Sequence, residues 1–152
     1  MKIKTEDIKK LRNETGAGVM EIKEVLEETD GDYKKAYLKL MKKVAKKAAK
    51  KSDRIIKDGL VHAYIHSGGK VGSIVLVGCE TDFVAKTEDF ETLCHNVAMQ
   101  VCTEEFKTVE DVLNSEFIKD SSKKISDLIN ETVVKVGEKI ELVKFTRFAV
   151  GE

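Results

Sequence analysis

The sequence predicts an α+β protein in which a helical N-terminal module precedes a three-stranded antiparallel sheet packed with helices. Three observations carry that prediction. Apolar residues recur every three or four positions over residues 1–50, and every second position after Gly59. The charge changes sign near the same place: residues 1–58 carry 17 Lys and Arg against 11 Asp and Glu, whereas residues 59–152 carry 10 against 16. The elements then follow in the order ααα–ββ–αα–β, which suits helices segregated from an antiparallel sheet. We divide the chain into a three-helix module, residues 1–55, and a sheet domain, residues 56–152. They are joined by the charged stretch "KKSDRIIKDG", in a chain without proline.

The first helix, over residues 5–13, places Ile8 and Leu11 on one side. "TGAG" (residues 15–18) breaks it, because glycine reaches backbone angles closed to other residues. A second helix carries Val19, Ile22, Val25 and Leu26 at helical spacing, with Glu21 in its favourable first turn. Gly31 ends it and Asp32 caps the next. The third helix aligns Tyr33, Ala36, Tyr37, Leu40, Met41, Val44 and Ala48, and its other side carries Lys42, Lys43, Lys46, Lys47, Lys50 and Lys51. "LVHAYIH" and "KVGSIVLVGC" flank "SGG", a hairpin signal. The second of these strands is almost wholly apolar, which predicts a central strand covered on both faces. A helix is predicted over about 86–104 on Phe90, Leu93, Val97, Ala98 and Val101. A short helix or turn follows over 109–117, then a helix near 119–136 on Ile125, Leu128, Ile129, Val133 and Val136. "KIELVKFTRFAV" closes the pattern as a strand.

Composition narrows the function. No apolar run approaches the roughly 18 residues of a membrane span, and "MKIKTEDIKK" lacks a signal-peptide core, so a cytoplasmic chain is expected. Cys79, Cys94 and Cys102 form no CxxC pair and read as buried thiols. His62 and His66 could share a strand face, but nothing completes a ligand set with them, so no metal site is expected. "TGAGVMEIK" has the wrong spacing for a phosphate loop, and no nucleophile–base arrangement can be argued from spacing. No catalytic residues and no cofactor are assigned. The lysine side of the third helix could neutralise phosphates, but the module carries no aromatic stacking platform.

The stretch "CETDFVAK" (residues 79–86) leaves two roles open for Phe83. It could tuck under the sheet as a staple, with Asp82 capping the next helix, or it could be aimed at a partner.

The chain resembles the translation elongation factor Ts family. "LRNETGAGVMEIKEVLEETDGDYKKA" (11–36) is similar to that family's N-terminal signature, and "GLVHAYIHSGGKVGSIVLVGCETDFVAK" (59–86) to its second. "HNVAMQVC" resembles the later segment around AMHIAA, with Gln100 where the family commonly has His, and "GEKIELVKFTRFAVGE" resembles the closing strand. Val19 and Ile22 are apolar replacements for the usual Met and Cys. Only one set of sheet signals is present, as in short bacterial members.

The resemblance implies a guanine nucleotide exchange factor for elongation factor Tu, binding both its GDP-bound and nucleotide-free forms, and not an enzyme that makes bonds. It implies that Thr81, Asp82, Phe83 and Val84 enter the partner and dislodge its Mg2+. It also implies a ubiquitin-associated-like three-helix module docking beside the nucleotide site through Leu11, Arg12, Gly16, Val19 and Met20. Two other readings compete: a nucleic-acid or ribosome-binding module using the lysine helix, and a ubiquitin-like adaptor. With helices able to cover one face of the sheet, and no second sheet subdomain, a homodimer through the sheet is expected.

Overall fold

The computed structural model describes residues 2–152. Helices α1 (Thr5–Thr15), α2 (Val19–Glu28) and α3 (Tyr33–Ala49) form the N-terminal unit. Their stripes converge on one buried cluster that includes Leu11, Ile22, Val25, Leu26, Ala36 and Leu40. Helix α1 stops at Gly16, whose φ of 74° is left-handed and whose N–H donates to the Arg12 carbonyl. Gly18 needs no such freedom, with φ −72° at the α2 N-cap. Asp32 caps α3 by accepting from the Lys35 N–H at 3.1 Å. On the lysine side of α3, Lys39 pairs with Glu28 and Lys47 with Glu21, both acids on α2.

The chain then crosses to strands β1 (Asp58–Ile65) and β2 (Val71–Cys79). Next come the single-turn helix α4 (Asp82–Ala85) and helices α5 (Glu88–Val101) and α6 (Val109–Asn114). A short hairpin of β3 (Glu116–Phe117) and β4 (Asp120–Lys124) precedes α7 (Ile125–Val136) and β5 (Glu141–Ala149). The three long strands form one antiparallel sheet in the order β1-β2-β5, so the apolar strand is central. No helix is long and apolar enough to cross a membrane among the described residues.

The predicted helix over 119–136 is a strand followed by a helix. The Asp120 carboxylate accepts from both the N–H and the hydroxyl of Ser122, at 3.1 and 2.6 Å, so the segment turns locally instead of coiling. Helical bonding begins at Ile125, where the Asp127 carboxylate takes the Lys124 N–H. The predicted helix over 86–104 likewise divides: Lys86 ends α4, and the Thr87 hydroxyl accepts from the Phe90 N–H to start α5.

One sheet face packs on the helices. Val75 and Val77 are fully buried there with Phe90, Val97, Ile125 and Leu142 in the main cluster. The Ser73 hydroxyl donates to the Ala98 carbonyl of α5 at 2.6 Å. The other face is not covered by this chain, which departs from the expectation of two covered faces for β2. Val61 opposes Leu76, Ala63 opposes Ile74, and Gly72 opposes Phe148 across it. Val61, Ile65, Ile74 and Phe148 are all exposed.

Candidate functional site: two anchored turns

The turn after β2 is built from its root outward. Cys79 is fully buried at the strand end. Beyond it, one carboxylate on the segment entering β5 organises the exit. Glu138 Oε1 accepts from the Glu80 and Thr81 N–H groups at 3.1 and 3.0 Å, and Oε2 accepts from the Thr81 hydroxyl at 2.6 Å. Such charge-assisted bonds are stronger than neutral ones. Arg54 adds an ion pair to Glu80 at 3.4 Å and donates to the Gly137 carbonyl at 3.1 Å.

Thr81, and not Asp82, is the N-cap of α4: its oxygen accepts from the Val84 N–H at 3.4 Å. Thr87 closes the other end by donating to the Val84 carbonyl at 2.7 Å. Val84 and Ala85 turn inward and are buried in the main cluster. Asp82 faces solvent beside Lys86. Phe83 stands 81% exposed on this clamped turn, which removes the staple reading: it is not core. An apolar ring fixed on a rigid root has little ordering left to lose on contact with a partner.

The "TGAG" turn is anchored differently. A Cβ at position 16 would lie 2.8 Å from the Lys135 Cγ and 3.0 Å from the Glu131 carbonyl oxygen, so Gly16 sits directly against α7. Lys135 donates to the Asn13 carbonyl and Lys123 to the Glu14 carbonyl, each at 2.9 Å. Both cations thus meet the negative C-terminal end of α1. Lys123 also donates to Glu131 Oε1 at 2.7 Å, and both members of that pair are buried. Burial pushes the Glu131 carboxyl up to about 7, while the Lys123 bond pulls the other way. Within the helical unit, Tyr33 of α3 ties the same end of α1 by donating to Glu14 Oε2 at 2.5 Å. Burial, reinforced by that acceptor, raises its phenol above the usual range.

The residues named from the sequence therefore split by exposure. Phe83, Asp82, Arg12 and Met20 are on the surface, Met20 at 69%. Thr81, Gly16 and Val19 are half-buried. Leu11 and Val84 are buried and shape the surface from beneath. Gln100 is also buried. Its amide donates to Ser115 Oγ and the Glu116 carbonyl and accepts from the Ile118 N–H at 2.9 Å, so its polar atoms serve this chain. The three cysteines are free and buried, and burial pushes the Cys79 thiol up to about 11.

Sequence reasoning missed Glu138, Lys123, Glu131 and Lys135, which hold both turns from α7 and its flanks. The contact between His62 and a histidine outside its strand was not read either. His62 meets His95 of α5, and His66 instead faces the Tyr64 hydroxyl at 3.1 Å.

Comparison with known proteins gives a consistent picture. Residues 80–152, the part that begins at the exposed turn, match the family described as Elongation factor TS. The chain is 40% identical over 191 aligned positions to Elongation factor Ts of Moorella thermoacetica, covering 96% of this chain and 94% of that protein. It is 42% identical over 145 positions to Elongation factor Ts of a Nostoc species, covering 95% of this chain but 46% of that protein. It is 48% identical over 114 positions to Elongation factor Ts of Coprothermobacter proteolyticus, with 74% and 58% covered. The chain thus spans nearly all of one relative and about half of another.

Proposed function

This chain belongs to the elongation factor Ts family, and on that ground we propose that it is a guanine nucleotide exchange factor for elongation factor Tu in translation elongation. The observation that carries the reading is Phe83, an exposed aromatic ring held on a turn whose backbone is clamped at both ends. Phe83 enters an apolar pocket of the GTPase and acts as a wedge. Asp82 makes polar contact beside it, while Thr81 and Val84 hold the shape of the turn. The displaced elements include those around the bound Mg2+, and losing that charge loosens the β-phosphate. The partner would meet the helical module through Arg12, Val19 and Met20, with Leu11 and Gly16 setting the shape of that face. Linkage makes the effect reciprocal: the factor weakens nucleotide binding by the free energy with which nucleotide weakens the factor. Each tenfold loosening is about 1.4 kcal/mol.

The test is stopped-flow release of a fluorescent GDP analogue from elongation factor Tu. Wild-type protein should accelerate release, and Phe83→Ala should lose an order of magnitude or more, since an aromatic anchor of this type is worth roughly 2–4 kcal/mol. The variant should melt with the wild type. Wild-type exchange by folded Phe83→Ala would remove the wedge from the mechanism.

The same reading treats residues 1–55 and 56–152 as separate docking units and places the open sheet face against a second copy of this chain. The face offers Val61, Ile65, Ile74 and Phe148 together, an apolar patch that suits an isologous two-fold contact. Relatives of about twice the length, such as the Nostoc protein, have further chain with which to cover that face themselves. Sedimentation should give twice the chain mass of 17.0 kDa, and Ile74→Lys should halve it. A wild-type mass near 17.0 kDa that does not rise with concentration refutes the dimer.

A further inference from the structure

We propose that His62 and His95 form the seat of a single divalent transition-metal ion of the zinc class, with Glu91 as third donor. His62 Nε2 and His95 Nδ1 face one another at 3.3 Å. Two imidazole nitrogens bound to one zinc ion at about 2.0–2.1 Å in tetrahedral geometry stand roughly 3.3 Å apart. The nitrogen pair is therefore already at chelating separation. A cation at about 2.0–2.1 Å from both nitrogens sits to one side of the line between them, and each ring turns a little from its hydrogen-bonding pose to aim its lone pair there.

The surroundings suit a cation. His62 and His95 line an open pocket of about 420 Å³ with Glu88, Glu91 and Lys119. Glu91 lies one turn before His95 on α5, the i,i+4 spacing that puts two donors on one helix face. Among the described residues no three such donors already converge. The site is completed by rotating the exposed Glu91 side chain inward, with water as fourth ligand. Lys119, also on the rim, has to swing outward. Imidazole with one carboxylate selects zinc, copper, nickel or cobalt over magnesium or calcium, which prefer all-oxygen sets. Packing fixes where the rings lie: His95 packs edge-on against Tyr64 at a centroid distance of 5.5 Å, and His62 stands at 89° to His95. The bound ion would clip β1 to α5, the helix that begins directly behind the Phe83 turn.

The experiment is calorimetric titration of the metal-free chain with Zn2+, paired with thermal melting. One equivalent should bind saturably and raise the melting temperature, and Mg2+ at the same concentration should do neither. His95→Gln and His62→Gln should each lower affinity at least tenfold, while His66→Gln, outside the pocket, should leave it unchanged. His95 is exposed, so its variant keeps the fold and the comparison holds even if His62→Gln is destabilised. No saturable Zn2+ binding, or wild-type affinity retained in His95→Gln, overturns the site. Unaltered affinity in Glu91→Gln overturns the assignment of the third donor.

Discussion

The turn at Gly16 and the turn at Phe83 are both signature segments, yet they are built on opposite plans. At Gly16 the chain is pressed against α7 and fastened by a buried ion pair. At Phe83 the root is fastened by Glu138 and the tip is left in solvent. One turn is a joint between two apolar clusters, and the other is a display. Their shared anchor, the segment 123–138, sets the position of each relative to the same helix. Belonging to a signature therefore does not make a residue a contact: Leu11 and Val84 are as much a part of the pattern as Phe83, and both are buried.

The joint is the more costly of the two turns to disturb. Lys123→Ala leaves Glu131 buried without its partner, and we expect a loss of about 3–5 kcal/mol in urea unfolding at pH 8. The sign with pH is fixed by the raised Glu131 carboxyl, whose ordinary value is 4.5 and whose folded value is about 7. The folded state keeps that proton longer than the unfolded state, so stability from this group is present below 4.5 and is lost as pH rises through about 7. The penalty in Lys123→Ala should therefore be smaller at pH 5 than at pH 8. An equal penalty at both would mean that the buried carboxylate is not its source.

A smaller loss is expected at the display. Glu138→Ala removes the acceptor of three bonds from Glu80 and Thr81. The expected cost is about 1.5–3 kcal/mol, because hydrogen bonds to a charged group are in that range. Nucleotide exchange should fall with it, as the Phe83 turn loses its root, and hydrogen exchange of the Thr81 amide should quicken. Unchanged protection of that amide would show that Arg54 and the cap suffice. The mildest change is Gly16→Ala, which forces a side chain into left-handed backbone at about 1–2 kcal/mol. Its new methyl also meets the Lys135 Cγ and the Glu131 carbonyl oxygen, so a loss confined to that range would mean that α7 shifts to make room, and a larger loss that it does not.

The architecture was legible where it is local. The stripes of α1 to α3 repeat within a few residues, and "SGG" between an alternating run and an apolar one marks the β1–β2 hairpin. Residues 120–124 were not legible as a strand, because the lysines and serines there show neither period. The burial of Lys123 depends on a carboxylate eight positions on. The exposure of Phe83 could not be read either, since an apolar residue looks the same whether it faces core or solvent. The anchors are the least legible part. Glu138 is 57 positions from Thr81, Lys123 is 109 from Glu14, and Lys135 is 122 from Asn13. Nothing in a lone glutamate or lysine announces a partner that far away.

Those separations govern how the chain matures during synthesis. Both turns leave the ribosome well before the segment that fastens them. At about 5–20 residues per second, the Phe83 turn waits several seconds for Glu138. Through that interval the residues of the β1–β2 hairpin are all present, but β2 lacks its β5 neighbour and the Phe83 turn has only its local Thr81 and Thr87 caps, without the Glu138 root. The Phe83 turn thus gains its root, and β2 its second neighbour, only when residues 138–149 arrive. A chain stalled short of that point would present its sticky ring without the geometry to use it, and would be a substrate for chaperones before it could be a factor.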